Sequence, residues 1–467
     1  MRAKSPVGSV EKENPRSAIH ASSIFIPCCH RSFLATLVQS RLALVRQEFF
    51  RAACLQKTYT KRNPVSAISL FLPHESVQSA LPGLLGGNDT QSGDGRRSGN
   101  GRQQTAADAS VHSMSPVVSP GKTVADSATV RRPSSAALHE LSGESMEQVI
   151  RIAQKESVYF YTMLGGEPFL APDTLWNTIK NHPEAYFQII TNGLFFDEAT
   201  VRQIKQFGNI SPLVSIDGFE KENDARRGQG TFAKATLGCK ELQRQKILYG
   251  VATTVTSENF ESVLTEEYVN HFIKLGAMYL WFYVYRPVSA DPVTEWSVGP
   301  DRIRELRRRL LRLRRKMPII LIDTYWDEKG FAVCPASRGM AFVIGPAGSI
   351  EPCPPLNVTR EWISDNEGNF YETMNNSEFL LRFREFVGDK YDGERSQGCV
   401  IIDHPQELAE FFRSERVIDV SGRNFLDELS RREPLASHYL PGEEIPEDYW
   451  VYRIMKKMLF FGMGAYG

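Results

Sequence analysis

The chain has 467 residues, 42% of them hydrophobic and 24% charged, and its formal net charge at pH 7 is zero. This composition is that of an ordinary globular protein and excludes a largely disordered chain. No run of about 18 apolar residues occurs, so we expect no membrane-spanning helix and no membrane partner.

The charge is distributed unevenly. Residues 1–135 contain 17 Lys and Arg against 8 Asp and Glu, and the remainder contains 38 against 47. Because the remainder has no basic excess, we expect no nucleic-acid partner. The seven cysteines are few and scattered, which favours a reducing compartment, and hence a cytoplasmic location, over a disulfide scaffold.

The first segment in chain order, 1–135, shows no sustained helical or strand periodicity. Clusters of Gly, Ser and Arg such as 86–101 predict a disordered or non-homologous extension. Its beginning is rich in Arg and Ser and superficially resembles a transit peptide. An over-extended or mis-framed start is the alternative.

Order is predicted from Leu141 onward, where Ser145 and Gln148 have the spacing of a capping box. Apolar strand-like runs then alternate with helix-length segments. The predicted strands are 158–164, 187–191, 213–216, 249–255 and 278–285. The predicted helices are 172–181, 197–206, 233–245 and 265–275. This alternation predicts a parallel sheet with helices outside, in an α/β barrel or a doubly wound fold.

Residues 301–317 predict a strongly basic helix with one apolar face. That face consists of Ile303, Leu306, Leu310, Leu313 and Met317. We expect the apolar face to dock on the core and the arginines to be solvated, rather than to form a phosphate-binding surface.

The first chemical motif is Gly165, Gly166, Glu167 and Pro168, directly after the strand predicted at 158–164. The glycines allow the backbone to approach a ligand closely, and Glu167 next to a φ-restricted proline presents an anion in a fixed direction. This arrangement suits a cationic ammonium group. Taken alone, the tetrapeptide is better explained as a simple turn between a strand and a helix.

Polar and glycine residues recur where the next strands end. The two sets are Thr191, Asn192, Gly193 and Ser215, Asp217, Gly218. Residues 223–230 then read N-D-A-R-R-G-Q-G. Each set is typical of turns, but an α/β barrel also collects its active site at successive strand ends.

With these motifs the chain resembles a radical S-adenosylmethionine (radical SAM) enzyme of the branch that carries a SPASM or twitch auxiliary-cluster extension. The resemblance covers roughly residues 141–399. It implies a partial (β/α)6 TIM-like barrel followed by a small cysteine-containing α+β extension. In such enzymes a reduced [4Fe–4S] cluster cleaves S-adenosylmethionine to a deoxyadenosyl radical that abstracts hydrogen from the substrate, and the protein supplies orientation and excludes water.

The resemblance also implies which residues bind the cofactor. The Gly-Gly-Glu-Pro motif receives its ammonium group, and Arg226 or Arg227 pairs with its carboxylate. Ser215 and Asp217 face the ribose or carboxylate. The full implied set is Gly165, Gly166, Glu167, Pro168, Thr191, Asn192, Ser215, Asp217, Arg226, Arg227, Thr254 and Tyr285.

Cysteines carry the second motif. Cys334 and Cys353, with the run G-S-I-E-P-C at 348–353, resemble the start of a SPASM or twitch segment, in which a β-hairpin presents thiolates to an accessory iron–sulfur cluster. The resemblance implies Cys334, Cys353 and Cys399 as ligands of at most one such cluster. Three buried free thiols are the alternative. Cys239, in a predicted helix, is expected in the core.

One departure from the family pattern lies upstream. Catalytic members place C-x3-C-x2-C after the first barrel strand, whereas residues 55–238 contain no cysteine, and Cys28, Cys29 and Cys54 have the wrong spacing. Without three thiolates an open iron site is not held, so we expect radical generation to fail in this chain.

These observations predict a radical SAM enzyme that modifies a peptide or small molecule and takes electrons from a reductase or ferredoxin-type donor. A degenerate barrel that binds S-adenosylmethionine or a partner without turnover, and an unrelated α/β-barrel enzyme, are the alternatives. The predicted segments are the extension 1–135, the barrel 136–300, the basic helix and connecting strand 301–333, the SPASM/twitch-like segment 334–405 and a helical tail 406–467.

Overall fold

The computed structural model describes residues 67–71, 143–156, 158–170, 172–289, 291–323, 325–339, 341–365, 368–391 and 396–456. These residues belong to one compact unit, Val45–Gly467. Expectations for other positions, including most of 1–135 with Cys28, Cys29 and Cys54, lie outside the described residues.

Strands and helices alternate through the first part of this unit. The strands are β1 (Ala67–Phe71), β2 (Phe160–Leu164), β3 (Tyr186–Thr191), β4 (Ile210–Ser215), β5 (Gly250–Val255), β6 (Tyr279–Val284) and β7 (Ile320–Ile322). The helices are α1 (Gly143–Lys155), α2 (Pro172–Asn181), α3 (Glu198–Phe207), α4 (Glu220–Arg227), α5 (Thr231–Arg244), α6 (Phe260–Val263), α7 (Glu266–Lys274) and α8 (Pro300–Lys316). The strands and helices predicted between residues 158 and 317 are all present, with ends shifted by a few residues.

The strand order distinguishes between the two predicted α/β folds. Strands β1 to β7 stand side by side in chain order, and each pairs in parallel with the next. A doubly wound sheet reverses its strand order at a switch point, and the order from β1 to β7 has no reversal. The prediction of an α/β fold with a partial (β/α)6 barrel is confirmed. The carboxyl ends of its strands therefore share one edge.

Strand β1 lies within residues 1–135, which the sequence analysis predicted to be a disordered or non-homologous extension. It lies between β2 and β8 and is parallel to both, with Ile68 opposite Tyr161 and Phe342. The sequence analysis did not recognise this first strand of the barrel. Five residues give little periodicity of their own, and the hydrogen bonds that stabilise them come from strands distant in sequence.

Helix α1 has the predicted apolar face but begins earlier than predicted. Its buried residues are Met146, Val149, Ile150 and Ala153. Because the helix already begins at Gly143, Ser145 lies inside the first turn and is not its N-cap. The capping-box prediction is therefore wrong: the spacing of a Ser and a Gln does not by itself mark the first residue of a helix.

Helix α8 docks on the core as predicted. Its buried apolar residues include Ile303, Leu306, Leu310 and Leu313, and Met317 directly after the helix is also buried. The prediction of solvated arginines is wrong for Arg307 and Arg314, whose side chains are fully buried. Both pair with Asp323 and Glu447. Buried charges require such partners, and the pattern of the helix alone does not reveal them.

The chain after β7 adds a smaller layer beside the barrel. Strands β8 (Ala341–Ile344) and β9 (Ser349–Glu351) form an antiparallel hairpin, and β8 joins the barrel sheet next to β1. The other elements are β10 (Val358–Thr359), β11 (Glu361–Trp362), α9 (Phe370–Asn376), α10 (Glu378–Lys390), α11 (Val400–Asp403), α12 (Pro405–Ser414), β12 (Ile418–Asp419), α13 (Phe425–Ser430) and α14 (Trp450–Met455). Strand β12 pairs with β10, so the predicted tail contacts the cysteine-containing segment. Within the described part of the chain, no helix is both long and apolar enough to cross a membrane.

Candidate functional site

The turn after β2 places Glu167 at the carboxyl edge of the sheet. Gly165 has a φ of 155°, a conformation that favours glycine. Pro168 begins a 3₁₀ turn in which the N–H of Leu170 donates to the carbonyl oxygen of Glu167 at 3.0 Å. The Gly-Gly-Glu-Pro sequence thus fixes the backbone on both sides of Glu167.

The carboxylate of Glu167 is buried, with the residue only 8% exposed, and it accepts three hydrogen bonds. Oε1 accepts from the Thr191 hydroxyl at 2.7 Å and from the Phe169 N–H at 3.3 Å, while Oε2 accepts from the Asn192 N–H at 2.7 Å. Burial raises the pKa of Glu167, and these donors oppose the rise. Because a carboxylate offers about four lone-pair sites, capacity is left for a cationic ligand.

The turn after β3 is built to support this carboxylate. The Thr191 hydroxyl, besides donating to Glu167, accepts a hydrogen bond from the N–H of Gly193 at 3.1 Å. Gly193 has a φ of 76°, and a Cβ at this position would come within 2.6 Å of a methyl group of Val214. A side chain at Gly193 would therefore disturb the turn that aims Thr191 and Asn192 at Glu167.

Asp217, after β4, organises an arginine pair. Its Oδ2 accepts from Arg226 and from Arg227, the latter at 2.6 Å, and its Oδ1 accepts from the N–H of Thr254 at 2.7 Å. Asp217 is almost fully buried, so it positions the two guanidinium groups. This differs from the expectation that Asp217 itself faces the ribose or carboxylate of a cofactor. The sequence shows the acid and the arginines but not that they pair with each other.

Arg226 keeps donor capacity for a ligand. Its Nε is buried and has no hydrogen-bond partner among the described residues, and its guanidinium carbon lies 5.9 Å from the centre of the Tyr285 ring. A buried donor without a partner is costly. A bound carboxylate would satisfy it.

A cavity of about 1000 Å³ opens beside these groups. The barrel contributes one wall, with Asn192, Ser215, Arg226, Arg227 and Tyr285 among its lining residues. The segment after Cys353 and the C-terminal part contribute another, with Pro354, Pro355, Asn357, Ser421 and Arg423. Small-molecule sites span roughly 300 to 1000 Å³, so the cavity has room for a cofactor and part of a second ligand.

The predicted cofactor-binding residues fall into three groups. Five line the cavity: Asn192, Ser215, Arg226, Arg227 and Tyr285. Four lie beneath these and hydrogen-bond to them or to one another: Glu167, Thr191, Asp217 and Thr254. The remaining three, Gly165, Gly166 and Pro168, shape the turn that carries Glu167.

Other residues of the site were not predicted. Asn259 donates to the carbonyl oxygens of Asp217 and Thr254, at 2.8 Å in each case, and so fastens β4 to β5. Asn223 accepts from the N–H of Asp217 at 3.1 Å. Asn223 belongs to the N-D-A-R-R-G-Q-G run, which gave a signal, whereas nothing in the sequence around Asn259 or the cavity-lining Arg286 indicates a role.

Cys334, Cys353 and Cys399 are partly buried free thiols in one region. Cys334 and Cys353 flank the β8–β9 hairpin, and Cys399 immediately precedes α11. The three thiols interact electrostatically with Arg286, and Cys353 interacts with both other thiols. Burial raises the pKa of Cys353, and it raises the pKa of Cys399 to about 11. Cys239 is fully buried in α5, as predicted.

The three thiols do not form a site for a single metal ion. No group of three His, Cys, Asp or Glu side chains in the described ranges is arranged to hold one ion. A cluster, however, spreads its thiolate ligands over several iron atoms, and thiolates are its characteristic ligands. The three cysteines therefore stay a prediction as ligands of such a cluster. The catalytic cluster is different, because the sequence has no C-x3-C-x2-C to hold it.

Comparison with known proteins identifies the barrel. Residues 130–265 match the radical SAM superfamily. The chain carries a radical SAM domain. The cofactors of this superfamily are S-adenosylmethionine and a [4Fe–4S] cluster, and the radical SAM domain contains the turn of Glu167 and the arginine pair.

Curated relatives match part of this chain. The sporulation killing factor maturation protein SkfB of Bacillus subtilis (strain 168) is 25% identical over 229 residues, which are 46% of this chain and 53% of SkfB. The mycofactocin maturase MftC of Mycobacterium ulcerans (strain Agy99) is 29% identical over 108 residues, 22% of this chain and 28% of MftC. The chain thus spans about half the length of SkfB and about a quarter of that of MftC.

Among solved structures, Streptococcus suis SuiB bound to S-adenosylmethionine is 18% identical, with a TM-score of 0.45, and the match covers 52% of this chain and 61% of SuiB. SuiB bound to its precursor peptide SuiA gives 16% identity and a TM-score of 0.44.

Proposed function

We propose that this chain is built like the radical SAM enzymes of peptide modification and binds S-adenosylmethionine against the strand ends of the barrel, but does not cleave it, because the cysteines of the catalytic cluster are missing. The observation that carries the proposal is that one edge of the sheet bears both a buried carboxylate, Glu167, and two arginines, Arg226 and Arg227. S-adenosylmethionine carries an ammonium and a carboxylate on the same carbon. Glu167 is complementary in charge to the ammonium group, and the arginines are complementary to the carboxylate.

Each residue has a distinct part in this proposal. Glu167 receives the ammonium, with its orientation fixed by Thr191 and the Asn192 N–H. Arg226 receives the carboxylate, because its free Nε and its position beside Tyr285 face the cavity side of the site. Asp217 keeps the arginines in place, and charge-assisted hydrogen bonds of this kind are stronger than neutral ones.

A peptide substrate would occupy the rest of the cavity. SkfB and MftC are a maturation protein and a maturase, and SuiB has been crystallised with a precursor peptide. Pro354 and Pro355, which directly follow Cys353 in sequence, form part of the cavity wall together with Arg423. All three belong to the part of the chain that follows the barrel. A substrate there would contact both the cofactor side and the cysteine side.

We further propose that Cys334, Cys353 and Cys399 hold an accessory iron–sulfur cluster in a SPASM/twitch-like segment at 334–405, after a barrel at 136–300. A bound cluster of this type exchanges single electrons, which a reductase or ferredoxin-type donor in the cytoplasm would supply. The chain's own contribution would be to keep the three thiolates together in a partly buried region. The catalytic cluster has no such ligand set here, so no step is assigned to it.

Equilibrium dialysis with radiolabelled S-adenosylmethionine tests the binding site. The chain should bind about one cofactor per protein, and Arg226→Ala should weaken binding. The matched control is Arg202→Ala, because Arg202 is mostly exposed and, among the described residues, forms its ion pair with Glu198 on its own helix. Absence of saturable binding, or equal affinity of the two variants, contradicts the proposed site.

A second experiment tests the peptide substrate. Peptides are first selected from a random library for binding to the unmodified chain in the presence of S-adenosylmethionine. These peptides should no longer bind to Trp296→Ala, because Trp296 lines the cavity and its ring centre lies 5.8 Å from that of Tyr285. Trp450→Ala is the control, since Trp450 is exposed. Selection that is unaffected by Trp296→Ala would contradict a peptide site in this cavity.

A further inference from the structure

The wall of the cavity carries more positive than negative charge. Its described lining residues include four arginines, Arg226, Arg227, Arg286 and Arg423, and a single acidic residue, Asp291, which is exposed. A cleft lined mainly by charges of one sign attracts ligands of the opposite sign. The cavity is therefore suited to a negatively charged ligand.

The cofactor site accounts for only two of these arginines. Arg226 and Arg227 share the carboxylate of Asp217, and the carboxylate of S-adenosylmethionine would balance the remaining charge of the pair. S-adenosylmethionine also carries an ammonium and a sulfonium group, so it brings no net negative charge to the cavity. Arg286 and Arg423 are left for another anion.

Arg286 is held in the cavity wall without a carboxylate beside it. It lies just after β6, lines the cavity and is partly exposed. Its guanidinium carbon lies 5.4 Å from the centre of the Tyr325 ring, and the Tyr325 hydroxyl accepts from the N–H of Val284 at 2.8 Å. Within the described ranges, the Arg286 side chain forms no hydrogen bond and no ion pair. Because arginine keeps its charge in proteins, this partly buried cation calls for a compensating anion.

Arg423 is fastened to the turn that begins at Arg286. Its Nη2 donates to the carbonyl oxygen of Val288 at 2.8 Å, and the N–H of Val288 donates to the carbonyl oxygen of Arg286 at 2.9 Å. The Arg423 Nε lies 3.3 Å from a carboxylate oxygen of Glu428, but neither atom has a hydrogen-bond partner among the described residues. The charge of Arg423 is thus only partly compensated, and two arginines meet at the turn 286–288.

We propose that Arg286 and Arg423 form a second anion site in the cavity, and that this site binds a carboxylate of the peptide. The inference rests on the proposed peptide site and specifies the chemistry of its ligand. The carboxylate belongs to an Asp or Glu side chain of the peptide or to its C-terminus. The planar guanidinium group suits it because it presents several N–H donors in a fixed geometry that matches the two carboxylate oxygens.

Two random peptide libraries test this proposal and distinguish the two sources of the carboxylate. The first has amidated C-termini, so its carboxylates belong to Asp and Glu, and the second has free C-termini but lacks Asp and Glu. Both are selected on the full chain with S-adenosylmethionine present and without added iron and sulfide, so that no cluster contributes charge. Enrichment of Asp or Glu in the first library identifies a side chain, and binding from the second identifies the C-terminus.

A selected peptide and its counterpart with that carboxylate replaced by an amide are then titrated into the variants. Loss of the carboxylate should weaken binding to the unmodified chain by at least about tenfold, because a charge-assisted hydrogen bond is lost. The same loss should matter little to Arg286→Gln, less than normal to Arg423→Gln, and nearly as much as normal to Arg286→Lys. Arg432→Gln is the control: Arg432 donates to the carbonyl oxygen of Ser289 at 3.0 Å and lies near Glu428, but it is not among the described lining residues.

The outcomes separate this inference from the proposed function. If no peptide from either library binds, the proposed peptide site fails and the second anion site fails with it. If peptides bind but the unmodified chain and Arg286→Gln respond equally to loss of the carboxylate, only the second anion site is overturned. If Arg286→Gln and Arg432→Gln lose the response to the carboxylate equally, overall charge and not contact with the cavity wall is the cause, and the inference is also overturned.

Discussion

The Thr191 hydroxyl donates a hydrogen bond to Oε1 of Glu167 across 2.7 Å, linking the ends of two neighbouring parallel strands. The same carboxylate accepts from the N–H of Asn192, so its direction is fixed before any ligand arrives. Preorganisation of this kind lowers the cost of binding because the protein group does not have to be ordered by the ligand.

This contact predicts a pH dependence of cofactor binding. An ammonium group requires the ionised form of Glu167, and burial raises the pKa of Glu167 above its ordinary value of 4.5. Affinity for S-adenosylmethionine should therefore be full above the raised pKa and fall as the pH is lowered through it. Thr191→Ala removes a donor that lowers this pKa, so the midpoint of the fall should move to higher pH.

Calorimetric titrations over a pH series measure that midpoint. Thr200→Ala serves as the control, because Thr200 is half-buried in the first turn of α3, where its N–H donates to Asp197, and it does not contact Glu167. A midpoint that stays the same, or moves to lower pH, in Thr191→Ala would show that the hydroxyl does not act on the carboxylate.

The buried charges under α8 predict a large loss of stability. Arg314 pairs with Asp323 and Glu447, and all three side chains are fully buried. Arg314→Met leaves those carboxylates with less compensation, which should lower the free energy of unfolding by about 3 to 5 kcal/mol. Arg315→Met should lower it by no more than about 1 kcal/mol, because the Arg315–Asp448 pair is exposed.

Urea unfolding followed by circular dichroism compares the two neighbouring substitutions. Similar losses for Arg314→Met and Arg315→Met would mean that the ion cluster of Arg307, Arg314, Asp323 and Glu447 does not stabilise the fold in the way that its burial indicates.

The proposed accessory cluster predicts that iron binding by the chain depends on Cys334 and Cys353. The double substitution Cys334→Ala with Cys353→Ala should remove most of the iron and sulfide that the chain binds on anaerobic reconstitution, because both thiolates would be ligands. Cys239→Ala should retain the iron, since Cys239 is buried in α5. Equal iron and sulfide in the unmodified chain and the double variant would instead support three structural thiols.

Local patterns predicted much of this fold, and nonlocal contacts account for what they missed. Helix α2 (Pro172–Asn181) follows from its own apolar spacing and has the predicted bounds. Strand β1 does not, because five residues acquire their structure from β2 and β8. The burial of Arg307 depends on Asp323 and Glu447, which belong to distant parts of the chain.

In the site, too, local sequence motifs predicted some features, and nonlocal contacts determine the others. The positions of Glu167 and Asn192 at strand ends follow from motif order in a parallel sheet, and Arg226 and Arg227 belong to α4, the helix that follows β4. The pairing of Asp217 with the arginines required the structure, because a carboxylate near a predicted cofactor serves equally well as a ligand contact or as a support. Arg286 carries no motif, and only the structure places it in the cavity wall.

The missing cysteine triplet predicts that binding and cleavage are separate in this chain. Reductive cleavage of S-adenosylmethionine requires a cluster with an open iron, and residues 55–238 contain no cysteine to hold it. With dithionite as reductant, the unmodified chain should form no deoxyadenosine above a no-protein control, as measured by chromatography. Deoxyadenosine in excess of that control would mean that other ligands hold a catalytic cluster.

The most direct test of the proposed cofactor site is calorimetric titration of S-adenosylmethionine into the unmodified chain and into Glu167→Ala, with Glu198→Ala as an exposed control. The loss of a charge-assisted hydrogen bond costs about 1.5 to 3 kcal/mol, which corresponds to at least about a tenfold weaker affinity. We predict saturable binding to the unmodified chain and to Glu198→Ala, and binding at least about tenfold weaker in Glu167→Ala. Equal affinity in all three proteins, or no binding to the unmodified chain, would contradict the proposed site.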